Sequence, residues 1–441
     1  MAGEETIDDV TASARARDRP VPGVVVVFAA GAPAARAMPL ADGALELGRG
    51  AGLDDERASR RHARAFVDGG RWRVADLERR NGTFLDGAPV TGTVDARAGA
   101  VIRIGRTLAL LCDDVRPFAA GMAARGGNAP VVGPTLRRAW DEIARAAVAG
   151  DTLLVTGETG TGKELAARAF HDAGPNARGP FVAVNCAAIP EGVAERLLFG
   201  AKKGAFSGAT ADAEGYFRAA DRGTLFLDEL GELDPAVQGK LLRVLETREV
   251  MPLGAAQGTR VDVRVVAATT ADVRAAVADG SFRRDLYFRV GKPEVQLPPL
   301  RARREEIPWL IARGLGAVDA AVTADGLFVE ACALRPWPGN VRELLGAVRR
   351  AAHAARLDRR TTVELRDLEA SAGVELGGQA RAGEEEAPRR EPTRAEVESA
   401  LRDERGNVTG AAKRLGLHRN QLRRWLTKNP AIDPRVFEEA D

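Results

Sequence analysis

One octapeptide limits this chain more than any other segment: Gly157-Glu158-Thr159-Gly160-Thr161-Gly162-Lys163-Glu164, which follows the strand-like run Thr152 to Thr156 and opens a helical stretch near Glu164. Strand, glycine-rich turn and helix, in that order, is the setting in which such a loop binds phosphate. The glycines let backbone N–H groups wrap phosphate oxygens at a helix N-terminus, and Lys163 supplies a point charge for the β and γ oxygens. Basic positions in this chain are overwhelmingly arginine, and Lys163 is the first lysine to appear, which singles it out. The general motif ends in Ser or Thr, a magnesium ligand; here Glu164 stands at that place.

A second half of the same machinery lies about seventy residues on, where the apolar run Leu225-Phe226-Leu227 ends in Asp228-Glu229. Asp228 can hold magnesium, directly or through water, and Glu229 can polarise an attacking water. A strand ending in two acids is a weak signal alone and a strong one downstream of a phosphate loop.

At roughly 150 residues per domain, 441 residues imply about three domains. The 45% apolar and 29% charged content excludes general disorder, collagen and coiled-coil fibre. A formal net charge of +2 gives no global field that would dictate a nucleic-acid or membrane partner, so any such patch is local. The longest apolar run, Val24 to Gly31, is far short of the ~20 residues a membrane span needs. A cytoplasmic protein without a membrane partner is the expectation. Three scattered cysteines and four scattered histidines form neither a disulfide framework nor a metal motif.

Two stretches, Ala119 to Pro130 and Gly373 to Pro392, combine small, Gly, Pro and polar residues without periodicity and read as linkers. Before them, short runs such as GVVVVF, ALELG, RWRVADL and AVIRIGRTLALL, separated by Gly and Asp turns, predict an all-β sandwich. Between them, strand-like and helical stretches alternate, which predicts an α/β parallel sheet; from about Leu300 to Leu368 only helical segments remain. A short all-α piece, Thr393 to Lys428, follows.

The middle piece resembles the AAA+ domain of bacterial enhancer-binding proteins, the ATP-driven activators of sigma-54 RNA polymerase, in which a glutamate after the loop lysine is normal. The resemblance runs from about Val131 to Leu368 and includes Asn185-Cys186-Ala187-Ala188, Gly204 to Ala209, Leu297-Pro298-Pro299-Leu300-Arg301 and Trp337-Pro338-Gly339-Asn340-Val341-Arg342-Glu343-Leu344. It implies an ATPase using ATP and Mg2+. Asn185 matches the asparagine that holds the catalytic glutamate, and Thr270, with Thr269, falls at the sensor I position. Arg283 and Arg289 match fingers that reach a neighbouring subunit's site, and Arg342 matches the sensor II arginine of the lid. Val131, Val132 and Gly133 match the lining of the adenine pocket. Fingers supplied in trans require a homo-oligomer, which the family implies is a hexameric ring.

The same resemblance makes Gly204-Ala205-Phe206-Ser207-Gly208-Ala209 the loop that engages sigma-54, with Phe206 at its tip and Ser207 in place of threonine. Leu197, Ala201, Lys202 and Arg218 depart from the family pattern nearby, and two of them put a cation where an acid is usual.

In the first piece, Leu47-Gly48-Arg49, Ser59-Arg60-Arg61-His62 and Asn81-Gly82-Thr83 stand at the spacing of a forkhead-associated (FHA) domain. By that resemblance Arg49, Ser59, Arg60, Arg80 and Asn81 form a phosphothreonine pocket, and charge-assisted hydrogen bonds from guanidinium and hydroxyl groups suit a dianionic phosphate. His62 is expected to pack the loops rather than bind phosphate. The last piece resembles a Fis-type helix-turn-helix. Seven basic residues and no acid lie between Arg405 and Lys428, the local patch that the whole-chain charge conceals. Arg419, Asn420 and Arg423 are expected at the major groove, and Lys413, Arg414 and Arg424 at phosphate.

The expected organisation is therefore FHA domain 22–116, linker 117–130, AAA+ α/β core 131–300, helical lid 301–372, linker 373–392 and helix-turn-helix 393–430. The expected function is a phosphothreonine-gated transcription activator that binds upstream DNA as a dimer, assembles into a ring and opens sigma-54 promoters. The alternatives are a DNA-binding repressor and an FHA-gated AAA+ remodeller that no longer engages sigma-54.

Overall fold

A computed structural model describes residues 19–77, 81–124, 130–190, 192–205, 210–270, 272–374, 392–404, 406–415, 422, 425, 426, 429 and 432–437. The chain divides into two compact units, 1–375 and 376–441.

The first unit begins with a β-sandwich. Strands β1 (Gly23–Ala29), β2 (Ala32–Pro39), β6 (Thr83–Leu85), β7 (Ala88–Pro89), β9 (Val101–Ile104) and β10 (Thr107–Cys112) form one sheet in the order β2-β1-β10-β9-β6-β7. Strands β3 (Ala44–Leu47), β4 (Ala63–Asp68), β5 (Arg71–Asp76) and β8 (Thr93–Ala96) form the other. Successive side chains of a strand point to opposite faces. Val24, Val26, Ile102, Ile104, Ala109 and Leu111 accordingly face the sandwich interior with Leu47 and Trp72. Val25, Val27, Val101, Leu108 and Leu110 face outward, and they too are buried, in a cluster shared with the lid of the next domain. A register shift between Val26 and Phe28 turns Phe28 to this outer side as well. Burial of each such side chain contributes about 1.5–3 kcal/mol.

The segment read as a linker is not free of structure: β11 (Ala123–Ala124) pairs antiparallel with β12 (Val131–Val132), and the Arg137 guanidinium donates to the Gly121 carbonyl at 2.7 Å. After α1 (Pro134–Ala149) comes a five-stranded parallel sheet in the order β14-β15-β18-β13-β19, with β13 (Thr152–Thr156), β14 (Phe181–Asn185), β15 (Thr224–Asp228), β18 (Arg264–Thr269) and β19 (Glu294–Gln296). Leu153, Leu154 and Val155 are all buried, as helices on both faces of a parallel sheet require. The helices are α2 (Lys163–Asp172), α3 (Ala194–Phe199), α4 (Tyr216–Ala219), α5 (Pro235–Thr247), α6 (Val273–Ala278) and α7 (Arg284–Val290), and a small hairpin pairs β16 (Glu249–Val250) with β17 (Thr259–Arg260).

The lid consists of α8 (Ile307–Gly316), α9 (Gly326–Leu334) and α10 (Asn340–Leu357). It is not wholly helical as the sequence suggested, because β20 (Thr323–Ala324) pairs in parallel with β21 (Thr362–Val363). Pairs this short lack the length to register as a periodic pattern. In the second unit α11 (Arg394–Asp403) starts with a Thr393/Glu396 capping box, and α12 (Val408–Arg414) starts where the Asn407 side chain accepts the N–H groups of Thr409 and Gly410. Val397, Leu401, Ala411, Ala412, Leu422 and Leu426 make its core.

Candidate functional site: a phosphate loop under a helical lid

The parallel sheet delivers the site. β13 ends at Thr156, the loop turns through Gly157 to Gly162, and α2 begins at Lys163. Gly160 has φ +77°, and a Cβ there would lie 2.2 Å from the Gly339 carbonyl oxygen of the lid, so only glycine lets loop and lid approach this closely. Lys163 is buried; its Nζ donates to the Gly157 carbonyl at 3.0 Å and lies 3.5 Å from a Glu229 carboxylate oxygen. β15 lies beside β14 with Asp228 opposite Asn185, which brings the two strand ends to the same mouth. Burial, followed by the charge of Glu229, raises the Asp228 carboxyl above its ordinary value, and Lys163 partly offsets this.

Here Glu229 is held by Thr270, whose N–H (3.1 Å) and hydroxyl (3.0 Å) both donate to Glu229 Oε2. Thr270, expected at the nucleotide, thus acts on the neighbouring carboxylate, because it follows β18, the strand beside β15. Asn185, expected on Glu229, accepts the Ala187 N–H at 3.0 Å and caps the turn Cys186–Ala188.

The loop, the two carboxylates and the lid enclose a cavity of ≈ 280 Å³. Thr159 to Leu165, Asp228, Glu229 and Arg342 line its charged part, and Pro130, Val131, Leu136, Trp140, Leu310, Val341 and Leu345 line an apolar part. A flat apolar base with a polyphosphate tail has this division. Val132 of β12 pairs with Ala123 of β11, and Gly133 is fixed through its N–H, which donates to Glu306 Oε1 at 2.8 Å.

Glu306 belongs to a buried group that the sequence reading missed. Arg303 donates to Glu306 Oε2 at 3.1 Å and to the Thr161 carbonyl at 2.8 Å, joining the phosphate loop, the segment after β12 and the lid. Glu306 and Arg303 are 0% and 2% exposed. Burial first, then repulsion from Glu305, pushes the Glu306 carboxyl up to about 7, against the pull of Arg303; burial likewise raises Glu305. In a chain so rich in Arg and Glu these residues resemble solvated surface, and only the adjacent Leu-Pro-Pro-Leu-Arg run marked the neighbourhood.

Several residues of the phosphate loop also have protein partners. Glu158 forms a two-pronged pair with Arg301 (2.8 and 2.6 Å) and accepts the Asn340 amide at 3.1 Å, so Arg301 first and Asn340 next hold its carboxyl below the usual range. A carboxylate would repel phosphate and finds cations here. Asn340 also donates to the Thr159 carbonyl and accepts the Leu300 N–H at 2.7 Å. Thr161 turns its hydroxyl to the Glu158 carbonyl, and Glu164 pairs with Arg168 at the surface. Arg283 and Arg289 lie outside this cavity in the same chain: Arg283 pairs with Asp285 at 2.7 Å and Arg289 donates to the Leu245 carbonyl at 2.8 Å.

Of the six-residue loop, Gly204 and Ala205 are described; Phe206, Ser207, Gly208 and Ala209 lie outside the described residues. Beside it Lys202 pairs with Asp212 at 2.7 Å, Ala201 is buried and Arg218 is exposed. In the sandwich, Arg49 N–H and Gly50 N–H donate to the Ser59 and Arg60 carbonyls, and Asn81 donates to the Arg57 carbonyl at 2.7 Å, gathering Arg49, Ser59, Arg60 and Asn81; Arg80 lies outside the described residues. His62 is buried, accepts the Ser59 N–H on Nδ1 at 3.1 Å and meets the Gly82 carbonyl with Nε2 at 3.0 Å, so it ties the loops together. In the second unit Arg414 pairs with Asp403 at 2.9 Å, while Arg419, Asn420, Arg423, Arg424 and the Lys413 side chain lie outside the described residues.

This fold and cavity define a P-loop ATPase-type domain with a helical lid, carried behind a β-sandwich. Family models match a sigma-54 interaction domain at residues 132–296, an FHA domain at 48–105 and a Fis-family bacterial regulatory protein at 394–428. The middle of the chain is thus similar to the sigma-54 interaction domain family. It is 47% identical over 223 residues to a Nif-specific regulatory protein of Azotobacter vinelandii, covering 50% of this chain and 43% of that one. It is 43% identical over 298 residues to the hydrogenase transcriptional regulatory protein HoxA of Bradyrhizobium diazoefficiens, covering 65% and 61%. The chain thus spans less than two thirds of the length of these relatives. Among solved structures it is similar to NtrX from Brucella abortus in complex with ATP, with 28% identity, a TM-score of 0.51 and 69% of each chain covered.

Proposed function

We propose that this chain is an ATP-hydrolysing activator that binds DNA upstream of a promoter and remodels sigma-54 RNA polymerase, under control of phosphothreonine recognition by its FHA domain. The observation that carries the reading is the single mouth at which the phosphate loop, Asp228, Glu229 and Arg342 line one cavity beneath the lid. Lys163 neutralises the phosphate tail, the apolar end takes the base, and Glu229, oriented by Thr270, draws a proton from the attacking water.

The donor set suits magnesium: two adjacent carboxylates face the cavity, with Lys163 the cation beside them. Asp228 would hold the ion, which when bound neutralises charge on the transferring phosphate. Arg283 and Arg289, lying away from their own chain's cavity, suit a site completed by the neighbouring subunit of a ring.

Open-complex formation by sigma-54 holoenzyme with full-length protein and ATP tests this, beside phosphate release and a Phe206→Ala control. Opening that is lost in the control is the expected result. ATP hydrolysis without opening would instead favour a repressor or another remodelling target, a reading that the departures at Leu197, Lys202 and Arg218 allow.

A further inference from the structure

The outward face of the FHA sandwich and the lid meet most closely on α9. Arg103 of β9 donates through Nε to Glu330 Oε2 at 2.7 Å, with the two side chains 12% and 7% exposed, and its guanidinium lies 3.8 Å from the ring centroid of Phe84. The other carboxylate oxygen, Glu330 Oε1, is buried with no hydrogen-bond partner, so Arg103 carries the compensation of that charge. Phe84 sits in β6, three residues beyond Asn81. The turn between β9 and β10 touches the same helix: a Cβ on Gly326 would lie 2.8 Å from the Arg106 carbonyl oxygen. The Arg106 N–H in turn donates to Asp55 Oδ2 at 2.6 Å, Asp55 Oδ1 accepts the Arg57 N–H, and the Arg57 carbonyl accepts Asn81. Three successive hydrogen bonds thus run from the turn against α9 through Asp55 and Arg57 to Asn81.

On its other side the lid faces the nucleotide cavity with Leu310 and Arg313 of α8 and Val341, Arg342 and Leu345 of α10. The three helices share one apolar cluster with Val25, Val27 and Phe28 of the sandwich. A lid that swung off the cavity while the sandwich stayed in place would break the Arg103–Glu330 contact. We propose that the FHA sandwich is a clamp on the lid that slows nucleotide release, and that phosphothreonine binding loosens the clamp. The proposal rests on the reading of the cavity as the nucleotide site.

The test is the dissociation of a fluorescent ADP analogue from full-length protein, chased with excess ADP. Arg103→Glu and Glu330→Arg each accelerate release on the order of fivefold or more, and the doubly exchanged protein returns close to the wild-type rate. Glu330→Gln, which preserves shape, shifts release in the same direction and guards against a charge reversal that prevents folding. A pool of phosphothreonine-centred peptides speeds release from wild type, and the unphosphorylated pool leaves it unchanged. Wild-type release rates in Arg103→Glu, Glu330→Arg and Glu330→Gln would overturn the clamp. Bound phosphopeptide without effect on release would overturn its control by phosphothreonine. Failure of the wild type to bind the ADP analogue strikes the nucleotide reading itself, and the clamp falls with it.

Discussion

Glu229 and Glu306 show how much a carboxylate's role depends on its partners. Glu229 is aimed by two hydrogen bonds from Thr270, its N–H and its hydroxyl. Glu229→Gln should lower phosphate release about 100-fold or more while leaving nucleotide binding intact, measured by a coupled phosphate assay beside a fluorescent-nucleotide titration. Glu306 is raised from 4.5 to about 7 in the fold. Its folded form binds a proton that the unfolded chain has released, so its contribution to stability is complete below about 4.5 and is lost as pH rises through about 7. Glu306→Gln keeps an acceptor for the Gly133 N–H and removes the titration. The difference in melting temperature between wild type and variant should therefore change across that window and be flat above it; a constant difference would show that Glu306 is not the titrating group. The chemistry-bearing residues were legible in sequence because phosphate binding imposes glycines, a lysine and a strand-end acid pair in fixed order. The Arg303–Glu306 pair was not, since nothing in a one-dimensional pattern distinguishes a buried ion pair from two solvated charges.

The elements that matter most are the glycine loop and the start of α10, which interlock. The Gly160 carbonyl accepts the Val341 N–H, Asn340 reaches the Thr159 carbonyl and Glu158, and Glu343 accepts the N–H groups of Gly339 and Gly373. Gly160→Ala places a methyl group against the Gly339 carbonyl at a positive φ, a strain of about 1–3 kcal/mol or more. Nucleotide affinity should fall on the order of tenfold with the sandwich and sheet still folded, read by titration calorimetry and circular dichroism. Wild-type affinity would mean that loop and lid do not hold this approach in solution. The Trp-Pro-Gly-Asn-Val-Arg run was visible as a motif, yet its work was not: Arg342 alone was expected at the site, whereas Asn340 and Glu343 do the joining. The Glu158 side chain is part of the same lock.

At the scale of the whole molecule, the sequence divided into pieces more cleanly than the structure does. A four-valine run reads as one strand of a sandwich, but alternation would give such a strand one polar face; unbroken valine signals burial on both sides. The second side is the lid, and the run GVVVVF carries that signal. If Arg283 and Arg289 complete a neighbour's site, mixing Lys163→Ala with Arg289→Ala, each inactive alone, should restore part of the ATPase rate in mixed rings. Turnover per subunit should also rise with protein concentration; no recovery on mixing would argue for fingers acting elsewhere.

The shared apolar cluster also decides where this chain can be cut. Severing it near residue 130 would strip Phe328, Val329, Ile311 and Leu315 of the valines and phenylalanine that now accompany them, and would remove the β11 partner of the base-side strand. The freed ATPase would then carry a sticky flank of its own making and self-associate through it, whatever its rings do. A cut near residue 375 leaves that cluster whole, because all of its members lie within the first compact unit.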